Sequence, residues 1–254
     1  MKRIFKSMLL HVFGCEIHRI HPTFHDRSYL LNRGADWRDD LSRIMSFENC
    51  KTVVDVGANV GQSSIEFFNL FRQAEIFAFE PDPDTFALME KSTNELSRVS
   101  CYNTGIGESN ETLSFIRHKD SVLSSFVEHG DGLRPHHTNI QTTIEVAVRR
   151  LDNEDCLSDG IDFLKTDTQG FDLQVLKGAQ LLFEERKIGA VLIELNFDEI
   201  YKSNHNYADI CNFLHAHSFD LIGFYGLATC DIRNRLSWGD ALFVRRELML
   251  NDNE

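Results

Sequence analysis

The 254-residue sequence predicts an α/β fold, in which helices cover both faces of a mostly parallel sheet and one antiparallel ribbon is inserted. The main observation is that short β-branched or apolar runs alternate with segments of helical spacing, as strand–helix–strand crossovers require. A second observation is that residues 112–148 carry two runs of period-two alternation instead of a helix. The composition, 42% hydrophobic and 26% charged, is typical of a globular domain with a sizeable core.

The first part of the alternation supplies three strands and two helices. The run TVVDV is β-branched and ends in a glycine-containing turn, and EIFAF is stopped by Pro81 and Pro83. The predicted strands are 52–56, 75–79 and 99–103, and the predicted helices are 63–71 and 84–96.

The ribbon consists of 112–116 and 142–148, in which apolar side chains occupy every second position. Residues 119–139 lie between them in a polar segment that contains histidines. This connection is longer than most loops of compact domains, so we expect it to have a functional role.

The alternation then returns with four strands and two helices. The predicted strands are 161–166, 190–195, 221–225 and 241–245, and the predicted helices are 172–184 and 207–217. We expect one catalytic domain at 49–247, preceded by a helical N-terminal extension at 1–48 that packs on or caps the domain. A polar tail follows at 248–254.

Charge and cysteine usage narrow the function classes. The formal net charge of −13 disfavours nucleic acid as a partner, because phosphate backbones repel an acidic protein. The six cysteines lack zinc-site spacing and are typical of buried thiols in a reducing compartment. The sequence contains no run of about 18 apolar residues, so it predicts no transmembrane segment. The N-terminus lacks a signal-peptide cleavage pattern. We therefore expect a cytoplasmic protein.

Ligands of open α/β sheets bind beyond the carboxyl ends of the strands. After the first strand come Asp55, Gly57, Asn59 and Gly61, and after the second comes Glu80. The glycines permit a tight turn and a close backbone approach, and an acid about 20 residues further on can accept both hydroxyls of a ribose. The glycines have the spacing G-x-x-x-G and not the G-x-G-x-x-G of dinucleotide-binding turns. The carboxylate of Asp55 disfavours a pyrophosphate but suits a cationic sulfonium ligand. A tight strand–helix turn without a ligand is the alternative.

Motifs over about residues 50–245 resemble a known family. VVDVGANVGQ followed by FAFEPDP resembles the nucleotide-binding half of class I S-adenosylmethionine-dependent methyltransferases. IDFLKTDTQGFDLQVLKGA, AVLIELNF and VAVRRLD resemble the FkbM family in particular. The frequent Asp-x-Glu-Gly of that family is here Asp167-Thr168-Gln169-Gly170, which excludes a catalytic acid at position 169.

This resemblance implies a seven-stranded sheet with the last strand antiparallel, and S-adenosylmethionine as the methyl donor. The implied acceptor is a hydroxyl, on a saccharide or a small secondary metabolite. The resemblance also implies positions that bind the donor: Asp55, Gly57, Asn59 and Gly61 at the methionine and ribose end, Glu80 at the ribose diol, Gly105 and Ile106 beside the adenine, and Asp167 near the transferred methyl group.

Removal of the acceptor's proton requires a base or a metal. Asp167 is the first candidate for the base, although it could instead orient the donor or cap the next helix. His136, with its neighbour His137, is a second candidate. Glu194 and Asn196 could join Asp167 in an oxygen-rich magnesium site. We favour no metal, in which case Glu194 orients the acceptor.

Two other functions remain open. A nicotinamide-dependent oxidoreductase would share the sheet and Glu80, but Asp55 and the missing middle glycine oppose it. The second alternative is a non-catalytic module that binds S-adenosylmethionine without turnover. The sequence contains no signal for oligomeric state or for the identity of the acceptor.

Overall fold

The computed structural model describes residues 34–130, 140–202, 205–230 and 235–250. Its strands are β1 (Thr52–Val56), β2 (Glu75–Phe79), β3 (Val99–Tyr102), β4 (Gly105–Ile106), β5 (Glu111–His118), β6 (Ile140–Arg149), β7 (Ile161–Thr166), β8 (Ile188–Asn196), β9 (Phe219–Cys230) and β10 (Arg235–Arg245). Its helices are α1 (Trp37–Ser42), α2 (Gln62–Leu70), α3 (Pro83–Thr93), α4 (Asp172–Gly178), α5 (Gln180–Glu184), α6 (Tyr207–Ala216) and α7 (Arg246–Leu250).

Seven strands form the main sheet, in the order β3-β2-β1-β7-β8-β10-β9. The first five strands in this order are mutually parallel, namely β3, β2, β1, β7 and β8. Strand β10 is antiparallel to both β8 and β9. The predicted mostly parallel sheet with an antiparallel last strand is confirmed.

The inserted ribbon is a separate three-stranded sheet of order β4-β6-β5. β5 and β6 pair antiparallel over almost their whole length, as the alternation predicts. Gly105 and Ile106, which the sequence places in a connection, form the short strand β4 parallel to β6. This short strand joins the ribbon to the end of β3 and so positions the ribbon beside the carboxyl edge of the main sheet.

The main sheet separates two hydrophobic clusters. Val54 and Leu164 belong to the cluster that contains α4, α5 and α6, whereas their neighbours Val53 and Phe163 belong to the other. Successive side chains point to opposite faces of the sheet, and these four side chains are all fully buried. Burial on both faces explains why the strands are continuous apolar runs. Helix α1 packs into the second cluster, where Trp37 stacks on Phe163 with ring centroids 5.1 Å apart.

Several predicted boundaries are wrong. The helix expected at 172–184 is two helices, because the backbone leaves helical geometry at Ala179. A Cβ at Gly178 would stand 2.1 Å from the carbonyl oxygen of Gly107, so this segment packs directly on backbone. β9 and β10 extend well beyond 221–225 and 241–245, because their antiparallel pairing continues past the buried core with register shifts.

The cysteine prediction holds only in part. Cys50 is buried, Cys101 and Cys211 are half-buried, and Cys156 is exposed. The amphipathic stretch of the N-terminal extension lies outside the described residues, as do His136 and His137. The division into extension, domain and tail therefore stays a prediction.

Candidate functional site

A tight turn at the end of β1 opens the candidate site. Gly57 has φ +76°, and a Cβ there would stand 2.0 Å from the backbone oxygen of Asp167. Only glycine fits this approach of two strand ends. Gly61, with φ +92°, is the N-cap of α2, so both glycines of the motif have left-handed backbone conformations.

The carboxylate of Glu80 lies directly after the end of β2. Its Oε2 accepts a hydrogen bond from the backbone N–H of Asn59 at 2.9 Å, and its Oε1 accepts one from the N–H of Asp82 at 2.9 Å. Burial raises the pKa of Glu80 to about 7, although the two backbone donors oppose this shift. Each oxygen retains acceptor capacity, which a diol can use.

These groups line a cavity of about 190 Å³, here named the glycine-turn cavity. Its polar floor comes from backbone and side chains at the ends of β1, β2 and β7, including Gly57, Asn59, Glu80 and Asp167. Its apolar wall consists of Phe79, Gly105, Ile106, Phe115, Val122 and Phe126. A lining that combines polar groups with phenylalanine rings suits a ligand with a hydroxylated sugar and a flat apolar ring.

The described part of the long ribbon connection covers this cavity. Ser121, Val122, Ser124 and Phe126 all line it, and Ser121 Oγ lies 3.3 Å from Asn59 Oδ1. The loop is tied to the sheet edge by Ser125, whose hydroxyl donates to the carbonyl of Gln169 at 2.7 Å.

A buried lysine, Lys165, joins the strand ends β1 and β7. Its Nζ lies 3.3 Å from Asp55 Oδ1 and 3.6 Å from Asp167 Oδ2, and donates to the carbonyl of Gly57 at 3.2 Å. Burial alone would lower the pKa of Lys165, but the carboxylates of Asp55 and Asp167 raise it above its usual value. The ammonium therefore stays charged and holds the two strand ends in register.

The side chain of Gln169 links the glycine-turn cavity to a second group of carboxylates. Its Nε2 donates to Asp167 Oδ1 at 2.7 Å and to Glu194 Oε1 at 3.4 Å. Its Oε1 accepts a hydrogen bond from the hydroxyl of Tyr201, which fixes the orientation of the amide. Gln169 has φ +55°, a conformation uncommon outside glycine, so the backbone is held there by its surroundings.

Beyond Gln169 lies a larger cavity of about 470 Å³, here named the carboxylate cavity. Asp172, Glu194, Asn196, Asp198, Glu199 and Tyr201 are among its lining residues. Burial raises the pKa of Glu194 well above its usual value, and the nearby carboxylates of Asp167, Asp172 and Asp240 add to this shift. Burial also raises the pKa of Asp172 to about 6. The cavity is therefore a crowded acidic site.

The structure brings most of the predicted site residues together. Gly57, Asn59, Glu80, Gly105, Ile106 and Asp167 line the glycine-turn cavity, and Glu194 lines the carboxylate cavity. Gly61 and Asp55 line neither cavity. The Asp55 side chain is fully buried behind the turn, where it accepts a hydrogen bond from Ser64 Oγ at 2.7 Å.

The sequence alone did not indicate Lys165, Gln169 or Phe126 as site residues. Lys165 had a detectable signal, because it stands two residues before the strand-end Asp167, as Asp55 stands two before Gly57. Residues at matching positions of adjacent parallel strands face each other, and the register pairs Asp55 with Lys165. Tyr201 and Phe126 lie in loops, and no local pattern indicates where those loops fold.

The described residues contain neither a metal-binding cluster nor a membrane-spanning helix. None of their groups of three or more His, Cys, Asp or Glu side chains has an arrangement that could hold a metal ion. None of their helices is long and apolar enough to cross a membrane.

The doubly wound sheet, the glycine turn after β1 and the acid after β2 together define a Rossmann-like α/β fold. A profile of the methyltransferase FkbM domain matches residues 55–221. The chain therefore belongs to the FkbM methyltransferase family.

Individual relatives are distant. The chain is 25% identical over 160 residues to 2-O-methyltransferase NoeI of Sinorhizobium fredii (strain NBRC 101917 / NGR234), a match that covers 59% of this chain and 65% of NoeI. It is 27% identical over 153 residues to methyltransferase sdnD of Sordaria araneosa, covering 50% of this chain and 59% of sdnD. The matches thus span less than two thirds of these relatives. Among solved structures, the METTL16 MTase domain is 14% identical with a TM-score of 0.45, covering 96% of this chain and 78% of that one.

Proposed function

We propose that this protein is an S-adenosylmethionine-dependent methyltransferase that methylates a hydroxyl group of a saccharide or a small secondary metabolite. One observation carries the proposal: a single amide, Gln169, hydrogen-bonds a carboxylate of each of two adjoining cavities. A donor site and an acceptor site must meet at one point for a group to be transferred between them. Membership of the FkbM family supports methyl as that group, and NoeI is by name a 2-O-methyltransferase.

In this proposal the glycine-turn cavity binds the donor. Glu80 would accept the ribose hydroxyls, and Asn59 would hold Glu80 in place through its backbone N–H. Gly105 and Ile106, with Phe126, would flank the adenine. Asp167 would bind the positively charged methionine end. The donor supplies a methyl group on a sulfonium, which is activated for in-line displacement.

Asp55 and Gly61 act indirectly in this proposal. Asp55 would set the position of Lys165, which in turn holds Asp167 and the carbonyl of Gly57. Gly61 would begin α2 at the correct angle.

Glu194 is the base we propose. It lines the carboxylate cavity, and its raised pKa makes the ionised carboxylate a stronger proton acceptor. The acceptor oxygen forms a bond to the methyl carbon while the carbon–sulfur bond breaks and the sulfur retains its electron pair. The hydroxyl proton passes to the Glu194 carboxylate and then to solvent. Asp167 would orient the donor, and His136 stays a candidate base.

We expect a cytoplasmic enzyme with a small-molecule or saccharide acceptor, and the division into an extension at 1–48 and a catalytic domain at 49–247 stays a prediction. The net charge of −13 supports the expectation that nucleic acid is not the acceptor.

Thermal unfolding with S-adenosylhomocysteine, and separately with NAD, tests the donor assignment. At about one hundred times its Kd, a ligand adds about 2.7 kcal/mol to the free energy of unfolding. We expect an increase in Tm with S-adenosylhomocysteine alone. An increase with NAD alone would favour the oxidoreductase, and no increase with either would contradict a nucleotide site. Formation of S-adenosylhomocysteine from the donor during incubation with hydroxylated acceptors separates an enzyme from a binding module.

A further inference from the structure

The carboxylate cavity has more negative charge than its own cations neutralise. Asp172, Glu194, Asp198 and Glu199 contribute carboxylates to its lining. Among the described lining residues, Arg235 is the one permanent cation, and its Nη2 is 2.9 Å from Asp198 Oδ1. The other three carboxylates have no arginine or lysine in the lining to balance them.

Buried acceptor atoms in this cavity lack donors. Asp172 is 1% exposed, and its Oδ1 accepts hydrogen bonds from the hydroxyl of Thr166 at 2.7 Å and the N–H of Thr168 at 3.1 Å. Its Oδ2 is buried and has no hydrogen-bond partner among the residues that the structure describes, and the same holds for Oδ1 of Asn196. Buried acceptors of this kind are normally satisfied, so a ligand rich in N–H or O–H groups would complete the site.

One wall of the cavity is aromatic. Phe197 and Tyr207 both line it, with ring centroids 5.3 Å apart in an edge-to-face arrangement, and Tyr207 is 44% exposed. Aromatic faces attract cations and pack against the C–H groups of sugar rings.

We propose that the carboxylate cavity binds the methyl acceptor and that this acceptor carries a protonated amine in addition to the hydroxyl that is methylated. The amine lies among Asp172, Asn196 and Glu199, and the hydroxyl lies beside Glu194. This inference rests on the proposed function. It narrows the acceptor from any hydroxylated metabolite to a cationic amino alcohol or amino sugar, and it excludes acceptors with carboxylate or phosphate groups.

A matched set of sugars tests the charge preference. Glucosamine, glucose and glucuronate share a pyranose ring and differ in carrying an amine, a hydroxyl or a carboxylate. Each is titrated by saturation-transfer NMR into protein saturated with S-adenosylhomocysteine. We expect glucosamine to bind about tenfold more tightly than glucose, and glucuronate to bind more weakly than either.

A substitution in the carboxylate cavity separates the effect of charge on sugar binding from the effect of shape. Glu199→Gln removes one carboxylate at an exposed lining position. It should weaken glucosamine binding about threefold and leave glucose binding unchanged. Glu185→Gln makes the same chemical change at an exposed position that lines neither cavity, and it should change neither affinity.

The outcomes distinguish this inference from the proposed function. If S-adenosylhomocysteine binds but glucuronate binds as well as glucosamine, the amine inference is overturned and the donor site stands. If glucosamine at about 50 mM does not bind to protein saturated with S-adenosylhomocysteine, the amine inference is also overturned. If Glu199→Gln weakens glucose and glucosamine alike, charge is not the basis of recognition. Failure to bind S-adenosylhomocysteine contradicts the proposed function itself.

Discussion

The two cavities on either side of Gln169 are built in different ways. The glycine-turn cavity relies on backbone geometry: a glycine with φ +76°, an acid held by two main-chain N–H groups and a covering loop. The carboxylate cavity relies on side-chain charge, with acids that raise one another's pKa values. A site built on backbone geometry is less sensitive to side-chain substitution than a site built on side-chain charge. We propose the first as the donor site and the second as the acceptor site.

The largest expected effect concerns Glu194. Glu194→Gln should lower kcat by about 10²–10⁴-fold, because it removes the proposed base. The activity that remains should lose the rise with pH that titration of the carboxylate gives to the unmodified enzyme. Steady-state kinetics from pH 5 to pH 9 measures both. A variant with normal kcat and an unchanged pH profile would move the base elsewhere, with His136 the next candidate.

The glycine turn should be nearly as sensitive. Gly57→Ala introduces a Cβ that would stand 2.0 Å from the backbone oxygen of Asp167, so the strand ends must separate. We expect a loss of stability of about 3 kcal/mol or more and a loss of S-adenosylhomocysteine binding. Urea unfolding and calorimetry measure the two effects.

Gly34→Ala is the matched control for this substitution. Gly34 has the same φ of +76°, but a Cβ there meets nothing within 4 Å. It should cost about 1 kcal/mol through backbone strain alone and leave ligand binding intact. Equal effects of the two substitutions would show that close packing at Gly57 is not important.

Asp240 is a half-buried carboxylate near Asp167 and Asp172, and replacing it with asparagine should stabilise the protein. Burial raises the pKa of Asp240 to about 6 from an ordinary value of 3.8. The folded state therefore binds more protons than the unfolded state between these values, so this contribution to stability is lost as pH rises through 6. Asp240→Asn avoids that loss and should add about 2–3 kcal/mol at pH 8 and about half as much at pH 5.

Urea unfolding at the two pH values measures this effect. Asp159→Asn makes the same chemical change at an exposed position, and it should leave the free energy of unfolding at pH 8 nearly unchanged. An Asp240→Asn variant that is no more stable than the original protein at pH 8 would contradict the raised pKa of Asp240.

The smallest effect concerns Tyr201, whose hydroxyl orients the amide of Gln169. Tyr201→Phe should reduce kcat about fivefold, the value of one neutral hydrogen bond, with little change in donor affinity. Tyr225→Phe removes a hydroxyl that donates to Asp40 Oδ2 at 2.9 Å, in the cluster that contains α1. It should reduce stability and leave kcat unchanged. Equal kinetic effects of both would indicate a structural role for Tyr201.

Sequence reasoning succeeded where the information is local. The limits of β1, β2 and β7 follow from short apolar runs ended by glycine, proline or acid, and the positions of Gly57 and Glu80 follow from those limits. It failed where tertiary packing decides. The break between α4 and α5 depends on the approach of Gly178 to the backbone of Gly107. The burial of Asp55 depends on a lysine more than one hundred residues away.

The loop residues show the same limit. Phe126 covers the glycine-turn cavity and Tyr201 lies at the junction of the cavities, yet neither is part of a periodic segment. A loop's path depends on contacts with the finished domain. The length of the 119–139 connection predicted a functional role, but it did not indicate that Ser121, Val122, Ser124 and Phe126 would line the glycine-turn cavity.

Calorimetric titration of S-adenosylhomocysteine into the original protein, Glu80→Gln and Glu194→Gln tests the division of the site most directly. In Glu80→Gln the amide N–H₂ would face one of the two backbone donors, the N–H of Asn59 or that of Asp82, so we expect binding to weaken about tenfold. Glu194→Gln should bind with a Kd within about twofold of the original. Unchanged binding to Glu80→Gln, together with weakened binding to Glu194→Gln, would place the donor in the carboxylate cavity and contradict the assignment.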